Sequence, residues 1–496
     1  MLITNLFKHW TYQVFAPGTV LREKYEAFKS LLDHDKRAHE LMAELEEIYH
    51  NRTKVDFKVI EDKYDEFSGC VSGIVEELAK MCPTRYLDLK DYFKKFNFYV
   101  RFMLAPQEFN FSPPFTTPLN DISSDGLALV GGKALNLGII GKKLQLPIPK
   151  GFVITTNAFY YFIEFNDLRK SIDEILVKLD IASTASLDAA SQELIELIMD
   201  AQIPPDIEEA VFQTFRSVTW DKGRGIRIAL RSSAVAEDAK SSFAGQYKTV
   251  LNVVEDGIVD AYKEVIASKY ASSALFYRIS YGLSDVETPM AVLALEMVDA
   301  ESSGIIYTND LEDPNSNSIN IHSIWGLGEL LVGGEMSPDI INIEKEKKLR
   351  ITQKKTGTKP KQMVFSQDNI TEIIPVYDDK KKLPSLDDES ALELAKWGMK
   401  LEGFFKEPQS RPLKAEEISG ETIECNFEYV ENAVLVSGGE RACSGVGAGK
   451  VFRIDRESDL EKLPEGAVLV ARNTSPHYVK VIDKLNAVVT DIGSKA

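Results

Sequence analysis

The sequence predicts a multidomain protein that combines α/β and α+β folds and begins with a helical extension. Apolar residues between Phe57 and Met81 recur at intervals of three and four, which is typical of one face of a long helix. Residues 290–298 form a nearly continuous apolar run, as in a buried strand. A proline-rich stretch at residues 106–121 separates the two patterns, and a chain of 496 residues has room for about three domains.

Composition argues against several classes of function. The chain is 44% hydrophobic and 27% charged, and its formal net charge of −18 disfavours nonspecific binding to nucleic acid. It contains no apolar run long enough to cross a membrane and no secretory pattern near residue 1, so we expect a cytoplasmic protein. Its four cysteines show no C-x-x-C spacing and its six histidines are scattered, which disfavours a zinc site and indicates a reduced compartment.

Residues 1–105 are predicted to be a helical extension with three apolar stripes, which we interpret as core packing. We expect His34, His39 and His50 to be solvated, because they lie among charged residues. The extension shows no catalytic pattern, so our hypothesis for it is docking or oligomerisation. The stripes are Ala38, Leu41, Leu45 and Ile48; Phe57, Ile60, Tyr64, Phe67, Val71, Ile74, Leu78 and Met81; and Tyr92, Phe93, Phe96, Val100 and Met103.

The body of the protein begins after the predicted linker, 106–121. A short strand is predicted at 127–130, followed by Gly131-Gly132-Lys133 and a helix over 134–144. A lysine at a glycine-led helix start suits an anion, because the free N–H groups and the helix dipole act in the same direction. The spacing differs from that of a Walker A loop, and the motif alone is weak.

The most informative stretch is 226–254. Apolar and other residues alternate over 226–230, which predicts a strand with Arg231 at its end. Several hydroxyl and acidic residues, beginning with Ser232, lead to the loop Phe243-Ala244-Gly245-Gln246, and a second strand is predicted at 247–254. An arginine fork, hydroxyls and a glycine that admits backbone N–H groups are the parts of a polyphosphate site. An exposed hairpin with a solvated arginine is the alternative.

The remaining elements are predicted from periodicity and charge. Helices are expected over 166–222, 259–281 and 390–405, and strands over 290–298 and 319–324. Glu296 interrupts the apolar run 290–298, so it lies either at the strand's edge or against a ligand. The basic segment 344–362 is predicted to be a solvated hairpin around Thr356-Gly357, and 377–388 a charged loop.

Several of these stretches resemble one family. RSSAVAED…SFAGQ at 231–246, GGKALNL at 131–137, LPIPKGF at 146–152 and WGLGE…SPD at 325–339 are similar to motifs of one ATP-binding domain. That domain is shared by phosphoenolpyruvate synthase, pyruvate phosphate dikinase, rifampin phosphotransferase and phenylphosphate synthase, the phosphoenolpyruvate-utilising enzymes. The resemblance covers about three quarters of the chain, residues 122–496.

The resemblance implies a two-lobed ATP-grasp-like domain over 122–415, a linker over 416–431, and part of a swivelling phosphohistidine domain over 432–496. It implies a role for each matching residue: Lys133, Arg231 and Ser232 at the phosphates, the loop from Phe243 to Gln246 closing over them, and Glu296, Met297 and Val298 beside adenine. The family carries glutamine where this chain has Glu296, which keeps an acceptor and removes a donor.

Two departures concern metal binding and the phosphocarrier. The family's hairpin with a metal-binding glutamate and a Q-x-R-P end corresponds here to 407–412, where Gln409 and Arg411 match only the end. Gln409, with Glu329 or Glu407 as substitutes, is then left to bind Mg²⁺, and the binding is expected to be weakened. The family's phosphorylated histidine has no counterpart before residue 496, and His477 lies in a different loop.

The resemblance therefore implies the ATP-binding part of a phosphoenolpyruvate-synthase-like phosphotransferase. Such an enzyme would pass phosphate from ATP to a histidine and release AMP and phosphate, with charge neutralisation as the main catalytic device. This chain would be a fragment, or a subunit whose partner chain carries the phosphohistidine and acceptor domain. The alternative is a non-catalytic nucleotide-binding module or degenerate subunit.

Overall fold

The computed structural model describes most of the chain outside residues 406–446. The described residues are 17–51, 53–82, 85–86, 88–104, 110–218, 226–235, 247–309, 317–345, 349–365, 371–405, 447, 449–454, 460, 462–473, 478, 481–482 and 484–492. Several residues that the sequence singles out lie outside these ranges. They are Phe243, Ala244, Gly245, Gln246, Glu407, Gln409, Arg411 and His477.

The predicted helical extension consists of three helices in its described part: α1 (Pro17–His50), α2 (Phe57–Met81) and α3 (Leu89–Leu104). Helix α2 begins at Asp56, whose side chain accepts a hydrogen bond from the Lys58 amide and so caps the helix. Helices α1 and α2 pack side by side and bury Ala38 and Leu41, as predicted for the first stripe.

The core-packing prediction is wrong for much of the third stripe. Tyr92, Phe96 and Met103 are 60, 66 and 74% exposed. Helix α3 instead contacts α2 through a polar face, where Asn97 accepts hydrogen bonds from Tyr64 and Ser68. These three side chains are therefore largely uncovered by the part of the chain that the structure describes. His34 also departs from its prediction, since it is half-buried against Gly73.

A five-stranded antiparallel sheet, in the order β1-β2-β5-β3-β4, forms the centre of the next unit. Strand β1 lies inside the predicted linker, and its Thr116 is opposite Ile154 of β2. The described end of that stretch is therefore part of the sheet. The strands are β1 (Thr116–Pro118), β2 (Gly151–Ile154), β3 (Ile228–Ala234), β4 (Thr249–Val253) and β5 (Met290–Glu296).

Helices cover both faces of this sheet. One face packs on a large core that includes Phe152, Leu230 and Val292, and the other packs on α4 through Val130 and Ala134. The helices are α4 (Leu127–Lys143), α5 (Thr156–Phe165), α6 (Leu168–Val177), α7 (Thr184–Asp200), α8 (Pro205–Ser217), α9 (Ile258–Ala267) and α10 (Ser272–Ser280).

Two element predictions in this unit are wrong. Residues 127–130 are the first turn of α4 and not a strand, because their carbonyls and amides are bonded within the chain's own turn, as from Val130 N to Gly126 O. The single helix predicted over 259–281 is two helices, since a 3-10 turn at Ser268–Tyr270 separates α9 from α10. Helices were predicted correctly for α6, α7 and α8.

A second antiparallel sheet, in the order β6-β7-β8-β9, packs against α12, and a β10–β11 hairpin and the short α11 lie beside it. The hairpin predicted around Thr356-Gly357 is wrong. Strand β9 pairs with β8, and β10 pairs with β11, because Gly357 and Lys359 bind the buried Asp339 instead of turning the chain back. The elements are β6 (Ser302–Tyr307), β7 (Ser318–Trp325), α11 (Glu329–Val332), β8 (Asp339–Glu344), β9 (Arg350–Lys355), β10 (Lys361–Phe365), β11 (Thr371–Pro375) and α12 (Asp388–Phe405).

A third, parallel sheet is formed by β12 (Val451–Arg453), β13 (Ala467–Asn473) and β14 (Leu485–Ile492). The mixed α/β and α+β class is thus confirmed, while the ATP-grasp and swivel assignments stay predictions, as do the domain boundaries. Within the described part of the chain, none of the helices is both long enough and apolar enough to span a membrane.

Candidate nucleotide-binding site

Arg231 lies in the middle of β3, so the prediction that it ends a strand is wrong. The strand continues through Ser232 and Ser233 to Ala234, paired with β5 throughout. Arg231 is opposite Leu293 of β5 and Thr249 of β4, and it is the one exposed residue of β3. Its guanidinium forms no hydrogen bond or ion pair with the described residues. A central strand therefore presents a solvent-facing cation on the α4 side of the sheet.

Gly131 breaks α4 close to β3. Its backbone has φ 72° and ψ 170°, which divides the helix into a first turn and a longer second segment. A Cβ atom at this position would lie 1.8 Å from the carbonyl oxygen of Ser233. Only glycine fits both the backbone angles and the contact, so the Gly131-Gly132-Lys133 motif has a structural cause beside any functional one.

Lys133 begins the second segment of α4 and reaches β3. Its Nζ donates to Ser232 Oγ at 3.3 Å, across 99 residues of sequence. Ser232 is 3% exposed, and Lys133 is half-buried. The fold therefore places Lys133 beside Ser232, the residue that follows Arg231 in β3.

Glu296, Met297 and Val298 lie where β5 ends. Glu296 is opposite Ile228 and is half-buried, while Val298 is 62% exposed. The amide of Glu296 donates to the Lys150 carbonyl at 2.8 Å, and that of Met297 donates to the Arg227 carbonyl at 2.9 Å. The segment is thus held from both neighbouring strands before it leaves the sheet.

Ser232 and the segment Glu296–Val298 lie along the same pair of strands, β3 and β5. Ser232 is opposite Val292, and Ile228 is opposite Glu296, so the two places are separated by four residues of an extended strand. At about 3.4 Å per residue the separation is roughly 14 Å. A nucleoside triphosphate in an extended conformation has a comparable length.

Glu329 belongs to a different element from these residues. It is exposed at the start of α11, beside the second sheet, and no hydrogen bond or ion pair joins it to Lys133 or Arg231. Nearby Gly326 has φ 74°, and a Cβ there would lie 2.2 Å from the Met363 carbonyl, so this glycine serves the turn. In the parts of the chain that the structure describes, no group of three or more His, Cys, Asp or Glu side chains is arranged to hold a metal.

A buried charge cluster near this unit was missed by the sequence analysis. Asp285 forms ion pairs with Lys269 at 2.7 Å and Arg169 at 3.0 Å, and Arg278 pairs with Asp56 at 3.0 Å. Burial opposes ionisation of Asp285, but the neighbouring cations outweigh it and hold the pKa of that carboxyl well below its usual value. The paired residues are 16, 116 and 222 positions apart in sequence, so no local pattern indicates that they meet.

Ser233 was also missed as a separate element of the site. It is fully buried, and its hydroxyl bonds both to Val130 and to Ala134 of α4. From the sequence alone, Ser232 and Ser233 are two equivalent hydroxyl residues. Pleating gives them different neighbours, which no pattern within the stretch reveals.

Comparison with known proteins assigns the class to which this arrangement belongs. Residues 127–411 match the family model described as pyruvate phosphate dikinase, AMP/ATP-binding domain. The match covers more than half of the chain and contains Lys133, Arg231 and Glu296. The chain belongs to this family, and the recognition made from the sequence motifs is confirmed.

Curated relatives carry a more particular name. The chain is similar to the probable phosphoenolpyruvate synthase of Methanocaldococcus jannaschii (31% identity over 400 residues, 77% of this chain and 33% of the relative). It is similar to that of Archaeoglobus fulgidus (33% over 394 residues, 76% and 52%). It is also similar to the phosphoenolpyruvate synthase of Aquifex aeolicus (31% over 422 residues, 76% and 49%). The chain spans between a third and about half of the length of these relatives.

Proposed function

We propose that the chain is the ATP-binding part of a phosphoenolpyruvate-synthase-like phosphotransferase. In this proposal ATP phosphorylates a histidine, and AMP and phosphate are released with the uptake of one water molecule. The observation that carries it is the hydrogen bond between Lys133 of α4 and Ser232 of β3, next in the strand to the exposed Arg231 and at about a triphosphate's length from the end of β5. The family match and the names of the relatives support the same reading.

Lys133 and Arg231 would neutralise the triphosphate. Phosphoryl transfer depends mainly on positioning and on stabilising negative charge, and two cations on adjacent elements supply both. Arg231 suits this task because its guanidinium is exposed and makes no ion pair with the described residues, so binding breaks no ion pair among them. Ser232 would hold the Lys133 side chain toward the phosphates.

Adenine would bind at the end of β5. The amides of Glu296 and Met297 are already used in bonds to Lys150 and Arg227. Recognition of the base would therefore fall to the carbonyl groups of this segment and to the amide of Val298. The Met297 sulfur accepts from the Asn252 amide at 3.0 Å, so that side chain is directed toward β4 and is occupied.

Mg²⁺ would enter with the triphosphate, whose oxygens it prefers, and would add charge neutralisation there. Glu329, which is exposed at the start of α11, would be its candidate protein ligand among the described residues. Gln409, Arg411 and the loop from Phe243 to Gln246 complete the proposed site but lie outside the described residues. The histidine and the phosphate acceptor would be supplied by a further domain or a partner chain in the cytoplasm.

The second candidate is a nucleotide-binding module without turnover. It is favoured by one feature of the sequence, the missing counterpart of the family's metal-binding glutamate before Gln409. Such a module would bind ATP through the same cations, but Mg²⁺ would not strengthen binding.

The test is calorimetric titration of ATP, with and without Mg²⁺, into the wild type, Lys133→Ala and Arg231→Ala. Loss of a charge-assisted contact costs about 1.5–3 kcal/mol, so each variant should bind ATP roughly ten- to a hundredfold more weakly. Arg216→Ala is the control, because Arg216 is an exposed arginine of the same unit whose ion pair among the described residues is with Glu255. Its affinity should equal that of the wild type.

The outcomes separate the proposals. Binding that needs both cations and gains from Mg²⁺ supports the transferase, and AMP release with an added phosphohistidine-domain protein would complete it. Binding that is indifferent to Mg²⁺ supports the module. A wild type that does not bind ATP overturns both.

A further inference from the structure

The geometry points to Ser233 as a positioning residue that holds Lys133 in place for the triphosphate. This inference rests on the proposed ATP site and adds a residue to it. Ser233 is fully buried in β3 and reaches no solvent, so it would touch no nucleotide. It would act through the backbone of α4, from which Lys133 projects.

The break in α4 leaves a carbonyl and an amide without helical hydrogen-bond partners, and one hydroxyl bonds to both. When a helix is interrupted, carbonyls before the break and amides after it lose their helical partners. Ser233 Oγ donates to the Val130 carbonyl at 2.7 Å and accepts from the Ala134 amide at 3.1 Å. It therefore caps both segments at once, from a strand 99 residues away in sequence.

Lys133 is placed by two adjacent residues of one strand. Ser233 fixes the backbone on both sides of it, at Val130 and Ala134, and Ser232 receives its Nζ at 3.3 Å. Gly131 permits this closeness, because any side chain there would overlap the Ser233 carbonyl. The backbone position of Lys133 thus depends on Ser233, and the position of its Nζ depends on Ser232.

Removal of the Ser233 hydroxyl should let the α4 backbone at Lys133 move. Ser233→Ala leaves a buried carbonyl and a buried amide without a partner, and the turn at Gly131 would shift to satisfy them. A displacement on the order of 1 Å at a positioning residue can cost up to a hundredfold in function. We expect ATP affinity to fall at least tenfold, and AMP affinity to fall less, because AMP carries fewer phosphates for Lys133 to hold.

The chain contains a matched control. Ser268 is also buried, and its hydroxyl also joins two backbone groups, donating to the Val265 carbonyl at 2.6 Å and accepting from the Lys248 amide at 3.0 Å. It lies at the turn between α9 and α10, and neither of these two hydrogen bonds involves α4 or Arg231. Ser268→Ala should lower the thermal midpoint about as much as Ser233→Ala does, yet leave ATP affinity unchanged.

The experiment measures ATP and AMP dissociation constants for the wild type, Ser233→Ala, Ser268→Ala, Lys133→Ala and the double variant Lys133→Ala/Ser233→Ala. If Ser233 acts through Lys133, its loss costs at least tenfold in the wild type and less than threefold once Lys133 is absent. Ser233→Cys, which keeps a weak donor and acceptor in a similar volume, should recover part of the affinity and replaces Ser233→Ala if that variant fails to fold.

Three results would overturn the inference: an unchanged ATP affinity in Ser233→Ala, equal losses for ATP and AMP, or a loss of the same size with and without Lys133. The first two could occur while Lys133→Ala still weakens ATP binding, which would leave the proposed function standing. A wild type that binds no ATP would remove both.

Discussion

The junction between the helical extension and the sheet unit gives the sharpest prediction about stability. Asp56, which caps α2, forms a buried ion pair with Arg278 of α10, and the two side chains are 3 and 2% exposed. Arg278→Met keeps most of the side-chain volume and removes the charge. The extension should then detach locally from the unit on which it docks.

The expected loss follows from the geometry. At 3.0 Å the pair is in hydrogen-bond contact, and removing one partner of such a buried pair costs about 3–5 kcal/mol because a charge stays buried without compensation. Arg278 also loses its bond to the Leu283 carbonyl. Asp56→Asn should cost less, since asparagine is an equally good helix cap and still accepts from the Lys58 amide.

The assay is hydrogen–deuterium exchange of α2 and α10, because a protein of several units does not unfold in one step. A loss of 3 kcal/mol corresponds to exchange that is faster by about a hundredfold in both helices. Arg216→Met is the control; it breaks an exposed pair with Glu255 that is worth at most about 1 kcal/mol.

The double variant tests whether Asp56 and Arg278 stabilise the protein as a pair. Asp56→Asn/Arg278→Met removes both charges, so it should be less destabilised than the sum of the single variants, by on the order of 2 kcal/mol. Additive losses, or unchanged exchange in Arg278→Met, would show that the pair does not hold the extension in place.

Three further predictions follow from single residues. Gly131→Ala should cost at least about 3 kcal/mol of unfolding free energy in denaturant titrations, because the backbone angles and the Ser233 contact both exclude a Cβ; Gly69→Ala, with open space around it in α2, should stabilise. Burial raises the pKa of Asp173 to about 6, above its unfolded value near 4, so the wild type loses stability as pH rises between these values. The free energy of unfolding of Asp173→Asn should equal that of the wild type at pH 4 and exceed it by on the order of 1–2 kcal/mol at pH 7. A difference that does not change with pH would contradict this. Lys359→Met leaves the buried Asp339 without its cation and should speed amide exchange at Gly357 and Ser385, which donate to that carboxylate, whereas unchanged exchange would mean that the amides alone satisfy Asp339.

Much of the fold could be predicted because its signals are local. The periodicity of α2 and α12, the apolar run of β5 and the alternation before Arg231 each lie within one element. Errors arose where a distant partner changed the outcome. Residues 127–130 are as apolar as a strand, but their place beside β3 lets them form the first turn of α4.

The candidate site divides in the same way. Lys133 and Arg231 could be proposed from the sequence, since their motifs resemble those of the family and that resemblance needs no coordinates. The register of β3 could not be read, so Arg231 was expected at a strand's end and lies at its middle. The two hydrogen bonds of the Ser233 hydroxyl also depended on contacts between distant segments.

The sequence by itself determined the family, the helical extension and the residue types available for ATP. The tertiary structure alone decided how those residues meet: Lys133 on Ser232, Val130 and Ala134 on Ser233, and Asp56 on Arg278. The physical reason is the distance along the sequence over which each interaction acts. Propensity, periodicity and motif chemistry act within a few residues, whereas a buried hydrogen bond or ion pair is satisfied by whichever distant group the packing of the core brings to it.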